Sequence, residues 1–242
     1  MRLDKFLTKC TILSRSEAKK AIKKGIIVND NIVKDISFNV NENEDKVYLH
    51  DKLLTYSEFI YIMLNKPQGV LTATEDKHTK TVVDLLKDED KILKPFSVGR
   101  LDKDTEGLIL LTNDGELSHS LISPKKDIDK TYYVEVMGIL DSFKKELFLE
   151  GIVIDDGYKC KPAKLDIIEN TENISKAYIT ISEGKFHQIK RMMKAIDCRV
   201  TYLKRLSIGK LVLDEDLKLG EYRYLTDNEI NNLKNKKLGG VI

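Results

Sequence analysis

Long apolar runs are missing from this chain of 242 residues, and none approaches the ~20 residues of a membrane-spanning helix. The first residues, Met1-Arg2-Leu3-Asp4-Lys5-Phe6, also lack the apolar stretch of a secretory signal. Cysteine is scarce: Cys10, Cys160 and Cys198 are odd in number and far apart. That usage argues against a disulfide framework and a Cys-x-x-Cys metal site, and points to a reducing cytoplasm. The four histidines, His50, His78, His119 and His187, show no metal-ligand spacing. Neither a P-loop nor a dinucleotide-binding fingerprint occurs, so chemistry driven by a nucleotide or a hydride carrier has no motif behind it. No heptad or exposed apolar stripe calls for a partner copy, and a monomer is expected.

What the chain does have is charge, placed unevenly. The total is only +2, yet residues 1–24 hold eight Lys/Arg against Asp4 and Glu17, a net +6. Residues 184–210 hold eight more against Asp197, a net +7, so the remainder carries −11. Two basic segments on an otherwise acidic chain suggest a polyanion bound in two places. The length suffices for one large domain or two, each with a buried core.

Leu3, Phe6, Leu7 and Cys10 recur at the spacing of a short amphipathic helix. A second helix opens at Ser14, with Glu17 completing a Ser-x-x-Glu capping box. Ala18, Ala21 and Ile22 supply its inner face, Lys19, Lys20, Lys23 and Lys24 line the outside, and Gly25 is placed to end it. Ile26-Ile27-Val28, the turn Asn29-Asp30-Asn31 and Ile32-Val33 read as a small hairpin. Residues 50–58 lose periodicity and read as a linker, and a final helix opens at Thr226 with Glu229 completing a second capping box.

The chain is organised around Val98-Gly99-Arg100-Leu101-Asp102-Lys103-Asp104-Thr105-Glu106-Gly107 and the apolar run Leu108-Ile109-Leu110-Leu111 that follows. The run reads as a buried strand, and the charged loop before it as a place where binding or catalytic groups collect. A P-loop fails here because Gly107 is followed by Leu108-Ile109. A calcium loop fails because its twelfth position is Asn113 and the leucines leave no ligands.

Three further stretches stand out. Phe59-Ile60-Tyr61-Ile62-Met63-Leu64 reads as a strand running into the turn Asn65-Lys66-Pro67-Gln68-Gly69. Thr131 to Val136 alternates as a half-buried strand. Ala177 to Ile181 is a strand followed by Ser182-Glu183-Gly184-Lys185-Phe186-His187-Gln188-Ile189-Lys190-Arg191-Met192-Met193. There Ile189, Met192, Met193 and Ile196 share a helical face, so a helix begins near His187 or Gln188. Lys190 and Arg191 then fall in its first turn, where the helix dipole disfavours cations unless an anion is close. A strand-to-helix turn of this kind is a receptor for a carboxylate or phosphate. A turn histidine such as His187 more often makes a structural hydrogen bond than acts as a base.

These stretches resemble a known family. Gly99 to Leu108 is similar to the signature loop of rRNA pseudouridine synthases of the RsuA and RluB/E/F branch. Asn65-Lys66-Pro67-Gln68-Gly69 looks like the opening of their catalytic domain, and Lys130-Thr131-Tyr132 like their Lys-x-Tyr motif. Glu183 to Met192 is similar to their Glu-Gly-Arg/Lys-x-His-Gln segment. Arg205-x-x-Ile208-Gly209 and Gly220-Glu221-x-Arg223-x-Leu225 also recur in the branch. Arg2 to Leu7, Ser14 to Ala18 and Gly25 to Asn29 resemble an S4 RNA-binding domain.

The resemblance implies an α+β protein. Residues 1–50 would form the S4-like (α-L) domain and 51–58 a linker. Residues 59–242 would form a catalytic domain with a mixed, mostly antiparallel sheet flanked by helices. It implies that Asp102 is the catalytic carboxylate, that Lys190 pairs with it, and that Tyr132 packs on the uracil. Arg100 would fill the stack vacated by an extruded nucleotide, with Leu206 as apolar wall and Arg191 as a further RNA contact. Arg2, Lys5, Arg15, Lys19, Lys20 and Lys23 would face RNA phosphates. The implied reaction needs no cofactor and no metal, because uridine and pseudouridine are isomers. The implied partner is ribosomal RNA, with no membrane.

Within the branch the chain looks most like the small-subunit (16S rRNA) enzyme, of the type acting at position 516, although its own residues name no target nucleotide. The same reaction on 23S rRNA and a non-catalytic rRNA-binding assembly factor are the alternatives.

Overall fold

The computed structural model describes residues 1–123 and 126–234. The expected catalytic domain runs to residue 242, and its last eight residues lie outside those described. The chain divides into two units, Met1–Ile60 with Leu86–Pro95, and Tyr61–Leu85 with Phe96 onward.

In the first unit, α1 (Leu3–Cys10) and α2 (Arg15–Lys24) precede β1 (Ile26–Val28), β2 (Asn31–Val33), β3 (Val47–Leu49) and β4 (Lys52–Leu54). The strands form an antiparallel sheet in the order β2-β1-β3-β4. The capping box fixes the start of α2: the Glu17 amide donates to the Ser14 hydroxyl, and the Ser14 amide donates to the Glu17 carboxylate at 2.8 Å. Gly25, at φ 119, stops the helix and returns its amide to Ala21 and Ile22. Leu3, Phe6, Leu7, Ala18, Ile22, Ile26, Val28, Val47 and Leu54 share one core. That packing leaves Arg2, Lys5, Arg15, Lys19, Lys20 and Lys23 exposed. A short helix, α3 (Asp88–Lys91), also belongs to this unit.

The stretch 51–58, read from the sequence as a linker, contains β4. His50 and Asp51, both at positive φ (48° and 61°), make a tight two-residue turn from β3 into β4. Lys52-Leu53-Leu54 has none of the β-branched residues that mark β1 and β2, so only its pairing with β3 and the burial of Leu54 reveal it.

The second unit is built on one large sheet. Its strands are β5 (Tyr61–Lys66), β6 (Phe96–Val98), β7 (Glu106–Thr112), β8 (Lys130–Met137), β9 (Lys164–Asn170), β10 (Ile174–Ile181), β11 (Arg199–Ile208), β12 (Leu211–Val212) and β13 (Tyr222–Tyr224). The order is β13-β5-β7-β11-β8-β10-β9, with β12 beside β11 and β6 beside β7. All these pairings are antiparallel except β7 with β11, so the sheet is mixed and mostly antiparallel as the resemblance implied. Helices α4 (Gly115–Ile122), α5 (Ser142–Glu150), α6 (Gln188–Lys194) and α7 (Asp227–Lys234) accompany it. The Thr226-x-x-Glu229 box caps α7 as its spacing indicates.

Both faces of β5 and β7 are buried, which explains their unbroken apolar runs. The sequence placed Asn65 and Lys66 in a turn, but β5 continues through both, Lys66 facing Gly107 across the ladder. Their donors are met by backbone carbonyls: the Asn65 amide donates to Glu221 O at 3.0 Å and its side chain to Leu217 O at 2.7 Å, while Asn65 Oδ1 has no partner among the described residues.

Gly107 is where the catalytic-loop candidate enters the sheet. It lies at φ +102, and a Cβ there would sit 2.2 Å from the carbonyl oxygen of Arg205 on β11. The single parallel pairing in the sheet therefore needs glycine at this point. Gly107→Ala is expected to cost about 2–3 kcal/mol through clash and backbone strain, read as a lower urea midpoint; an unchanged midpoint contradicts the close approach.

Candidate active site

The Arg100–Glu106 loop is pinned from beneath by the turn that leaves β5. Lys66 is completely buried, and its ammonium donates to the carbonyls of Pro67 (3.1 Å), Lys103 (3.3 Å) and Thr105 (2.8 Å). The Thr72 hydroxyl donates to Leu101 O and accepts from Leu101 N, while the Gly69 amide donates to Lys103 O. The loop backbone is thus held at Leu101 N and O, Lys103 O and Thr105 O, which fixes the segment that carries Asp102 and Asp104.

The other wall is the turn from β10 into α6. Glu183 and Gln188 are buried and clip it shut: Gln188 Nε2 donates to Glu183 at 2.7 Å, and the Lys185 amide donates to Gln188 Oε1 at 2.8 Å. The Tyr158 hydroxyl donates to the other Glu183 oxygen. Within this clip His187 adopts a left-handed backbone, φ 49, and precedes the first residue of α6.

Between the two walls Lys190 reaches Asp102. Its Nζ donates to Asp102 Oδ2 at 2.8 Å and to Asp104 Oδ1 at 2.6 Å. Partial burial works against the ammonium, but the two carboxylates outweigh it and raise the Lys190 pKa. Burial likewise pulls the Asp104 carboxyl upward, and the Lys190 hydrogen bond and charge overcome this to leave it below its ordinary value. Asp102 Oδ1 takes no hydrogen bond from any described residue; His187 Nε2 lies 3.5 Å from it. The cations early in α6, which the dipole disfavours, have found their anions.

An open cleft surrounds this carboxylate. Arg100, Leu101, Thr105, Tyr132, Ile181, His187 and Leu203 line it with Asp102 and Lys190. Tyr132, 7% exposed, supplies a flat aromatic wall from β8, and Arg100 is exposed at the cleft edge. The fold therefore brings together Asp102, Lys190, Tyr132 and Arg100 from segments up to 90 residues apart.

Two expected residues lie elsewhere. Leu206 does not line the cleft: it is the extra residue of a bulge between Arg205 and Ser207, and its carbonyl accepts from the Leu213 amide. Strand alternation instead presents Leu203, opposite Val134, on the same side as Tyr132. Arg191 is engaged by Asp155 and Asp156, its Nε 2.5 Å from Asp155 Oδ1. The sequence signal for that pairing was faint, since a remote Asp-Asp turn carries no motif. Thr105 was also missed, although it sits in the signature loop; it is buried in the cleft wall and its hydroxyl has no partner among the described residues.

This arrangement, a carboxylate held by one ammonium beside an aromatic wall in an open cleft, is chemically suited to a carboxylate acting as nucleophile or base. Residues 60–195 match the RNA pseudouridylate synthase family, and residues 1–46 match the S4 domain. An uncharacterised RNA pseudouridine synthase of Bacillus subtilis is 47% identical, covering 96% of this chain and 98% of its own. Ribosomal small subunit pseudouridine synthase A of Haemophilus influenzae is 43% identical over 96% of this chain and 99% of its own. The Escherichia coli K12 protein of that name is 39% identical over 95% and 98%. A crystal structure of a pseudouridylate synthase aligns with TM-score 0.68 at 42% identity, covering 96% of this chain and 99% of that one. The chain belongs to the RNA pseudouridine synthase family, with an N-terminal S4 domain, and is an isomerase acting on uridine in RNA.

The buried ammonium beneath the loop yields a pH test. Burial drives the Lys66 pKa from its ordinary 10.5 to about 8, against the pull of Asp104, Asp102 and Glu106. Below pH 8 the fold carries the whole cost of holding that charge; between about 8 and 10.5 the unfolded chain binds more protons than the folded one, so this group's contribution improves as pH rises. Lys66→Met lacks the effect. The stability of wild type relative to Lys66→Met should increase by up to about 3 kcal/mol across that window, measured by urea unfolding at stepped pH. A flat difference refutes the shifted lysine.

Proposed function

We propose that this chain converts a uridine of small-subunit (16S) ribosomal RNA to pseudouridine, with Asp102 as the catalytic carboxylate. The observation that carries the reading is the Lys190–Asp102 contact of 2.8 Å inside a cleft walled by Tyr132. The choice of 16S RNA is supported by relatives named ribosomal small subunit pseudouridine synthase A, similar over nearly their whole length. Position 516 is the finer target that goes with that choice. The expected setting is the cytoplasm, with the protein as a monomer.

The chemistry assigns each group a task. The target nucleotide must leave the RNA stack, at a cost of roughly a few kcal/mol, and Arg100 at the cleft edge fills the gap. Tyr132 packs on the uracil. The base detaches from the ribose at N1, turns, and rejoins through C5; the C5 proton is lost and N1 ends protonated. Asp102 serves as nucleophile toward the sugar or as base at C2′. Lys190 occupies Oδ2, which leaves Oδ1 for the substrate. Arg2, Lys5, Arg15, Lys19, Lys20 and Lys23 form the phosphate-facing surface of the S4 domain.

Asp102→Asn should still bind rRNA while forming pseudouridine at less than about 10⁻³ of the wild-type rate, followed by carbodiimide–primer extension in a complemented deletion strain. Full activity would show the carboxylate to be dispensable, as for a non-catalytic assembly factor, and a missing modification in 23S rather than 16S RNA would reassign the substrate.

Arg15→Ala and Lys19→Ala should each weaken RNA binding and reduce the slope of log K against log salt by about 1. An unchanged slope would move the RNA face elsewhere.

A further inference from the structure

The turn before α6 carries one aromatic side chain that the chemistry above leaves unused. Phe186 is 75% exposed, between Lys185 and His187, themselves exposed. A ring this open on a turn held by a buried Glu183–Gln188 clip is not poor packing, because the backbone around it is fully specified. One of its faces is occupied. It stacks on the His187 imidazole with centroids 3.7 Å apart and planes 20° from parallel. His187 in turn lines the cleft, with Nε2 3.5 Å from Asp102 Oδ1. Two stacked rings thus lead from the catalytic carboxylate outward, and the second ends in solvent.

We propose that the outer face of Phe186 is a stacking platform for an unpaired nucleobase of the RNA, next to the uridine extruded into the cleft. The proposal rests on the reading that RNA enters this cleft. Extrusion of one nucleotide strips the bases on both sides of a stacking partner; Arg100 covers one of them, and an exposed aromatic ring beside the cleft gives the other a partner. Every base has a π face, so such a platform binds without reading sequence. Lys190 and Arg191 are paired with Asp102, Asp104, Asp155 and Asp156, but the exposed Lys185 stands next to the ring as a cation for a phosphate, its ammonium 4.4 Å from the Tyr158 centroid. A single ring among cations is far smaller than the apolar patches that dock proteins.

The chain contains no tryptophan, so Phe186→Trp places the only indole at the platform. In the Asp102→Asn, Phe186→Trp double variant, titration with a 16S rRNA transcript should quench indole fluorescence, and inorganic polyphosphate at equal charge should not. Quenching by a 23S transcript alone would uphold the platform while overturning the choice of substrate. RNA retained on a filter with no change in indole emission would overturn the platform, and so would equal quenching by polyphosphate.

A second measurement separates stacking on RNA from packing on His187. In single-turnover pseudouridine formation, Phe186→Ala and Phe186→Leu should raise the half-saturating concentration roughly 5- to 150-fold, with the larger effect there rather than on the rate at saturation, and Phe186→Tyr should restore it. Recovery by leucine equal to that by tyrosine would reduce Phe186 to a cover for His187 and end the proposal.

Discussion

One ammonium group, Lys190 Nζ, joins the two halves of the candidate active site. It spans the gap between α6 and the Arg100–Glu106 loop and meets two carboxylates of that loop at once. Neither wall contains a complete site. The loop alone would present Asp102 and Asp104 as two like charges with no reason to hold one geometry. The helix alone would carry two cations near its start against its own dipole. Bringing them together satisfies both, and leaves one oxygen of Asp102 without a hydrogen bond from the described residues.

That contact depends on backbone held by buried polar groups on each side. On the loop side, Lys66 donates three hydrogen bonds to carbonyls from within the sheet, and the cost of burying its charge appears as a pKa lowered to about 8. On the helix side, Gln188 and Glu183 fix a turn that places His187 in a left-handed conformation. Buried polar networks of this kind are expensive unless every member is paired. Here they serve position, since a carboxylate misplaced by an ångström or so is a poor catalyst.

Much of the local structure was legible in the residues themselves. The Ser14–Glu17 and Thr226–Glu229 boxes mark helix starts because capping is a short-range interaction whose partners are three residues apart. Leu108 to Leu111 announced a strand buried on both faces. Other features were hidden for physical reasons. β4 is not visible because Lys52-Leu53-Leu54 lacks the β-branched residues that give away β1 and β2 at the same length. The extent of β5 was misplaced because Asn65 and Lys66 look like turn residues until the carbonyls that accept from their donors are known. Leu206 was assigned to the cleft because a bulge, which turns a side chain aside, leaves no mark in the run Leu203 to Ile208.

By itself the sequence determined the residue types of the chemistry and the elements that carry them: a charged loop before a buried strand, a tyrosine on an alternating strand, basic residues at a helix start. These are encoded by spacing, and spacing survives without a fold. Resemblance suggested that Lys190 meets Asp102, but the residues alone pair no charges, and the tertiary structure decided the full set of partners. Lys190 goes to Asp102 and Asp104, whereas its neighbour Arg191 goes to Asp155 and Asp156. Adjacent helix positions point about 100° apart, so what each one reaches is set by the packing of distant segments, which no local pattern records.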